Sequence, residues 1–136
     1  MNKSNYFWML ILFASLGGII LLINSTYSNT YELPNYAFLN SQLKEAYIFA
    51  KMFPDKLDGI PCYCGCMQNA GGHGRLHSRG LIDCFIEGDL NNGGKWDKHA
   101  SECVMCYEDA LTAKKLYTEG KSKIEIKSIL KEKYKK

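Results

Sequence analysis

The chain opens with a long apolar stretch and continues as shorter segments in which apolar residues return every three or four positions. The opening stretch, Phe7 to Ile23, carries no charge and approaches the length that crosses a bilayer as one helix. Lys3 precedes it, and the next basic residue is Lys44. Because basic residues favour the cytoplasmic side, this asymmetry predicts that the N-terminus is cytoplasmic and the rest of the protein extracytoplasmic.

A cleaved signal peptide is the competing interpretation of the same segment, although its apolar core would usually be shorter, about 7–15 residues. The only small-residue cleavage pattern nearby is the weak Thr26-x-Ser28. We therefore favour a single-pass membrane anchor over residues 1–24. Residues 25–38 are polar and contain Pro34, so we expect a tether there, followed by one small domain at 39–136.

The periodicity after the tether predicts a mainly helical domain. The first helix is expected from Asn40 to Phe53, and Pro54 ends its pattern. Its apolar positions are Leu39, Leu43, Ala46, Tyr47, Ala50 and Phe53.

Two further helices are predicted near the C-terminus. Asp97 is a good N-cap for a helix from Lys98 to about Glu119, and Gly120 ends it. Ser122 and Glu125 form a capping box that begins a last helix. The connecting turn is so short that these two helices should be antiparallel neighbours.

Between the first and second helices lies a glycine-rich stretch, residues 62–80, without lasting periodicity. Glycine lets a backbone fold closely around a ligand, and a loop this long in a small domain is usually functional or disordered. Residues 81–86, which follow, are apolar but too few to indicate helix or strand. Possible ligands within the loop or at its edge favour a functional loop: Cys62, Cys64, Cys66, His73, His77 and Cys84.

The six cysteines are clustered rather than dispersed. Cys62-x-Cys64-x-Cys66 gathers soft sulfur donors at one point, and Cys103 and Cys106 would share one face of the predicted helix. Such a cluster suits Cu(I), zinc or an iron–sulfur centre, and Met67 and Met105 beside it favour copper. His77 is a possible nitrogen ligand, whereas His73 and His99 are assigned ordinary structural roles. The predicted metal ligands are Cys62, Cys64, Cys66, His77, Cys84, Cys103 and Cys106.

Two other interpretations of the cysteines stay open. Six is an even number and the expected compartment is oxidising, so the domain could be held together by disulfides. Alternatively, Cys103-x-x-Cys106 at a helix start could carry out thiol–disulfide exchange.

Charge and composition exclude several other classes. The formal charge is only +3, without a basic stripe interleaved with aromatic residues, so we expect no nucleic-acid partner. No arrangement of acid, base and nucleophile indicates an enzyme. The chain lacks Cys-x-x-Cys-His, so we expect no covalent haem.

The run from Pro61 to Cys66, Pro-Cys-Tyr-Cys-Gly-Cys, resembles the signature of the PCYCGC-motif proteins, small membrane-attached or lipoprotein domains of bacteria and archaea. The similarity covers most of residues 45–134. The family's biochemical role is undefined, so the resemblance implies membrane attachment and no particular activity. This chain lacks the lipidated cysteine of the lipoprotein members, so its anchor would be peptide. The other similar segments are 53–60, 83–86, 99–106 and 120–126.

A second resemblance is shorter. Cys103-x-x-Cys106 together with residues 120–126 and Tyr134 is similar to the thiol-reductase subunit of bacterial cytochrome c maturation. This similarity implies thiol–disulfide exchange and leaves Cys62, Cys64, Cys66 and Cys84 unexplained.

The sequence therefore predicts a membrane-anchored, extracytoplasmic protein that binds a soft metal, copper first and zinc next. Its role would be metal delivery, buffering or electron transfer. A membrane respiratory complex or a metallochaperone would be its protein partner.

Overall fold

The structure is a computed structural model that describes residues 32–68 and 75–135. The predicted anchor, the first half of the tether and His73 lie outside these residues. Within the described ranges, no helix combines the length and the apolar character needed to span a membrane.

The domain is mainly helical, as predicted. Three short 3₁₀ helices and a two-stranded hairpin complete the described part of the chain. The α-helices are α1 (Ser41–Met52), α2 (Pro54–Leu57), α3 (His99–Glu102), α4 (Val104–Thr118) and α5 (Lys123–Lys133), and the strands are β1 (Ile86–Glu87) and β2 (Lys95–Trp96).

Helix α1 forms where the periodicity predicted it. The Asn40 side chain accepts a hydrogen bond from the Leu43 N–H and caps the helix. The ends of the apolar pattern were wrong: Leu39 and Phe53 are 70% and 48% exposed, and Phe49 is buried instead. The predicted apolar face extended too far at both ends, because Leu39 and Phe53 lie just outside the helix and are not on its inward face.

The connections on either side of α1 are more ordered than expected. Pro54 ends α1 and also begins α2, because its fixed φ and missing N–H suit the first position of a helix. Residues 35–38, assigned to the tether from sequence, form a 3₁₀ helix whose Ala37 is buried in the core. The helical domain therefore begins at about Leu33.

The single helix predicted from Lys98 to Glu119 is wrong, because it is two helices broken at Cys103. Cys103 adopts an extended conformation, with φ −128° and ψ 101°, between α3 and α4. In an unbroken helix the backbones of His99 and Cys106 would be separated by about 10 Å along the axis. The break lets both side chains enter one site.

The C-terminal helix follows its sequence signals. Ser122 and Glu125 form the reciprocal capping box, and α5 packs on α4. Gly120, with φ +81°, ends the preceding helix. Ile126 and Leu130 are buried, whereas Ile129 is 40% exposed.

Helices α1 and α4 enclose the core together with residues 81–86, which are all buried. Leu81–Cys84 form a 3₁₀ helix, and Phe85 connects it to β1, which begins at Ile86. In the hairpin Ile86 pairs with Trp96. The buried Tyr47 ring packs edge-on against Phe85 and Trp96, and its hydroxyl donates to the Asp97 carbonyl at 2.7 Å. The base of the hairpin is thereby fixed beside α3.

Candidate metal centre

Backbone pairing brings the two ends of the cysteine loop together. The Gly59 N–H donates to the Arg79 carbonyl, and the Leu81 N–H donates to the Ile60 carbonyl, both at 2.7 Å. Deeper in the loop, the His77 N–H donates to the Cys66 carbonyl at 3.0 Å. These bonds place the signature cysteines directly beside His77 and the 3₁₀ helix that carries Cys84.

Four sulfurs form the centre of the cluster. Cys62 Sγ lies 2.8 Å from Cys64 Sγ, 3.4 Å from Cys84 Sγ and 3.7 Å from Cys106 Sγ. The distance between the Cys64 and Cys106 sulfurs is 3.6 Å. Four thiolates around one tetrahedral zinc would lie about 3.8 Å apart. Three of the four distances in this four-sulfur set, Cys62, Cys64, Cys84 and Cys106, are thus close to the spacing of ligands that share one ion. The Cys62–Cys64 distance of 2.8 Å is shorter, so these two sulfurs would separate on binding it.

Two histidines and Cys66 border the four-sulfur set. His99 Nε2 lies 3.3 Å from Cys66 Sγ and 3.5 Å from Cys64 Sγ. His77 Nδ1 lies 3.3 Å from Cys84 Sγ. Ligand atoms of Cys66, His77 and His99 all lie within 4.8 Å of one another. We call these three residues the histidine set.

Cys103 lies at the edge of the cluster. Its sulfur is within 4.8 Å of ligand atoms of Cys64, His99 and Cys106, and the residue is only half-buried. All six cysteines are free. The sulfurs therefore converge on one point instead of separating into three pairs.

Hydrogen bonds among the thiols divide them into donors and acceptors. The Cys106 and Cys84 thiols lower the pKa of Cys62, which favours its thiolate. The same contacts raise the pKa of Cys84 and Cys106, and burial raises the pKa of Cys66. A hydrogen bond with Cys84 also lowers the pKa of Cys64, to about 5. Without a metal the cluster therefore concentrates negative charge on Cys62 and Cys64 and keeps protons on Cys66, Cys84 and Cys106, and a bound ion would displace those protons.

Burial also sets the state of His77. It lowers the pKa of the ring, aided by the nearby His99 and Arg75. The imidazole is therefore neutral at neutral pH, which is the form that binds metals.

A buried carboxylate, Asp83, stabilises the loop through hydrogen bonds. Asp83, next to Cys84 in sequence, accepts hydrogen bonds from the Arg79 backbone N–H at 2.9 Å and from its Nε at 2.8 Å. Arg75 pairs with Asp97 at 2.6 Å, and Asp97 also accepts the His99 N–H at 2.8 Å. These contacts connect the loop, the Cys84 segment and the start of α3, so ligands from all three are held together.

The opposite side of the signature is held by aromatic stacking. Tyr63 stacks on Tyr134, with ring centroids 4.8 Å apart. The Tyr134 hydroxyl and Lys133 Nζ each donate to the buried Asp109 at 2.8 Å. Met67 Sδ accepts the Cys62 N–H at 3.2 Å, so this methionine supports the loop. Helix α5 therefore contributes to the site without supplying a ligand.

The structure brings all seven residues that the sequence singled out as metal ligands into one cluster. It adds His99, which sequence reasoning had assigned an ordinary role. Helical spacing would not have found it: His99 precedes Cys103 by four residues, but the helix that would place these two side chains on one face is broken at Cys103.

Comparison with known families gives a match over most of the chain. The family described as "Protein of unknown function with PCYCGC motif" matches residues 21–136. The chain belongs to this family. The resemblance predicted from the signature is confirmed. Two of the three signature cysteines, Cys62 and Cys64, belong to the four-sulfur set at the centre of this cluster, and Cys66 borders it. No curated protein and no solved structure matches the chain.

Proposed function

We propose that the protein binds a soft metal ion through the four-sulfur set, Cys62, Cys64, Cys84 and Cys106, as a metal-handling protein and not as an enzyme. One observation carries the proposal: Cys62 Sγ lies within 3.7 Å of three other sulfurs, one from its own loop and two from two further segments of the chain. Three structural disulfides would require three separate pairs, whereas one ion requires this convergence.

Copper(I) is the ion we propose first, and zinc second. Both accept all-thiolate coordination, and an excess of sulfurs around one point suits copper(I). An iron–sulfur cluster fits less well, because its cysteine sulfurs bind different irons and lie farther apart than sulfurs that share one ion.

The physiological setting of this proposal comes from the sequence. The uncharged stretch at residues 7–23 and the preceding Lys3 support a membrane anchor with the metal-binding domain on the extracytoplasmic side. Metal delivery, buffering or electron transfer to a membrane respiratory complex or a metallochaperone would follow from that position. A reporter fusion at the C-terminus tests the orientation, and activity of a cytoplasm-specific reporter would contradict it.

The deciding experiment is metal analysis of the full chain purified without oxygen in mild detergent. We expect six free thiols and a stoichiometric soft metal by mass spectrometry. Cys62→Ser should lower the affinity by more than about 100-fold, since removing a ligand costs more than removing one of its supports. Cys103→Ser is the matched control, because Cys103 lies outside the four-sulfur set, and it should keep the metal.

Thiol–disulfide exchange is the second candidate, favoured by the position of Cys103. This residue is the N-cap of α4 and Cys106 lies in the first turn, which is the Cys-x-x-Cys arrangement of thiol–disulfide oxidoreductases. The raised pKa of Cys106 opposes this role, because it disfavours the thiolate. Metal-free protein whose Cys103–Cys106 pair cycles near the thioredoxin potential of about −270 mV would favour exchange over metal binding. Three bridges that resist reduction would contradict both candidates.

A further inference from the structure

The cluster contains more buried ligands than one ion can use. The four-sulfur set completes a tetrahedral shell, yet Cys66, His77 and His99 remain beside it and are only 1%, 1% and 3% exposed. Buried polar groups in folded proteins are normally satisfied by a partner. His77 Nε2 is buried and has no hydrogen-bond partner among the described residues.

The geometry of the histidine set suits a second ion. One sulfur and two nitrogens bound to a tetrahedral zinc would be separated by about 3.3–3.7 Å, and Cys66 Sγ lies 3.3 Å from His99 Nε2. The two imidazole rings are nearly perpendicular, with centroids 4.9 Å apart. The histidine set shares no residue with the four-sulfur set, so both can be filled at once.

The histidine set also borders a cleft. His77 and His99 line a cleft of about 410 Å³ whose other walls include Arg75, Trp96 and Lys98. No cysteine lines this cleft. Three protein ligands with a fourth position left open are the arrangement of exchangeable and catalytic metal sites, whereas four protein ligands are the arrangement of closed ones.

We propose that Cys66, His77 and His99 form a second metal site whose fourth position opens to the cleft, so that the protein holds two ions in one cluster. This inference rests on the proposed function, because the four-sulfur set, which supplies four protein ligands, is the site to which the second is added. The sets are in contact, with Cys64 Sγ 3.2 Å from Cys66 Sγ. The ion of the four-sulfur set, which has four protein ligands, is retained, and the ion of the histidine set is the one that exchanges with a small ligand or an acceptor.

Stoichiometry tests the second site directly. The full chain, stripped of metal and reduced, is titrated with Zn(II) and separately with Cu(I) under anaerobic conditions and examined by native mass spectrometry. We expect two ions per chain in the wild type and one in His77→Gln and in His99→Gln. Ser122→Ala, a control in the N-cap of α5, which supplies no ligand, should keep two.

The outcomes separate this inference from the proposed function. A wild type that saturates with one ion, or histidine variants that keep two, would overturn the second site and leave the four-sulfur site standing. A wild type that binds no ion would sink the proposed function itself.

Cobalt(II) provides a test that does not depend on variants folding. Cobalt added to the wild type should produce two absorption phases, one from all-sulfur and one from mixed nitrogen–sulfur coordination. Azide should then shift the bands of the second phase only, because only that ion has an open position. A single phase, or bands that azide leaves unchanged, would contradict the open second site.

Discussion

At the scale of single residues, the site depends on buried side chains that are not ligands. Asp83 and Asp109 are 2% and 1% exposed, and each is placed next to or one turn from a cluster cysteine. Asp83 is satisfied by backbone and side-chain groups of Arg79. Asp109 accepts bonds from Lys133 and Tyr134 through Oδ1, while its buried Oδ2 has no partner among the described residues.

The protonation of Asp109 leads to a prediction about pH. Burial raises the pKa of this carboxyl above its ordinary value of 3.8, although Lys133 and Tyr134 oppose the shift. Because the folded state then holds the proton more tightly than the unfolded state, the contribution of Asp109 to stability falls as pH rises between the two pKa values. Asp109→Asn removes this titration.

The prediction is measured by urea unfolding of the reduced, metal-free chain at pH 7 and pH 4. The wild type should gain stability relative to Asp109→Asn on acidification, by about 1.4 kcal/mol for each unit of pKa shift. A difference between the two proteins that stays constant, or changes in the opposite direction, would contradict the raised pKa.

At the scale of elements, the site is assembled by a few close backbone contacts between segments. Gly80 has φ +87° and ψ −140°, a conformation that other residues rarely adopt. A Cβ at this position would also collide with the Ile60 carbonyl that accepts the Leu81 N–H. This glycine therefore allows the strand-like pairing that brings Cys62 beside Cys84.

Gly80→Ala should consequently destabilise the domain by about 3 kcal/mol or more and weaken metal binding. Gly93→Ala is the matched control: its φ is also positive, at +79°, but a Cβ there would meet nothing within 4 Å. We expect the control to cost about 1 kcal/mol and to bind metal normally. Equal effects of the two substitutions on metal affinity would show that the Ile60 contact does not position the cysteines.

The capping box of α5 gives a prediction confined to one helix. Ser122 Oγ accepts the Glu125 N–H, and Glu125 Oε2 accepts the Ser122 N–H at 2.9 Å. Ser122→Ala should lower the free energy of unfolding by about 1 kcal/mol. Metal stoichiometry should not change, because α5 supplies no ligand, and a loss of metal in this variant would give the helix a larger role than the contacts indicate.

At the scale of the whole molecule, the metal centre joins segments that are far apart in sequence. The four-sulfur set draws on the signature loop, the 3₁₀ helix at 81–84 and helix α4. A domain of about a hundred residues often needs such a cross-link to complete a small core. The ion should therefore contribute to stability as well as to function.

Removing the metal should lower the thermal stability of the wild type. An ion present at 100 times its dissociation constant adds about 2.7 kcal/mol to the folded state, which corresponds to roughly 10–20 °C in Tm for a domain of this size. Scanning calorimetry with and without a chelator matched to the metal measures the change. The Tm of Cys62→Ser should change very little when the chelator is added. A wild-type Tm that stays the same after confirmed metal loss would rule out a stabilising role.

The sequence alone determined the features that depend on neighbouring residues. Asn40, Gly120, Ser122 and Glu125 act locally, so the corresponding helix ends were predictable from their side chains and backbone preferences. The sulfur-rich signature likewise indicated thiol chemistry before any geometry was known. The N-terminal anchor lies outside the described residues and stays a prediction.

Only the tertiary structure decided which ligands meet and in what sets. The break at Cys103 was hidden from the periodicity, because both halves have good helical patterns and the interruption satisfies contacts with distant segments. His99 joined the site for the same reason, through that break and the bond between Asp97 and its N–H. Contacts between segments separated by 22 to 44 residues depend on how backbones pair and pack, and a local pattern of residue types does not determine that pairing.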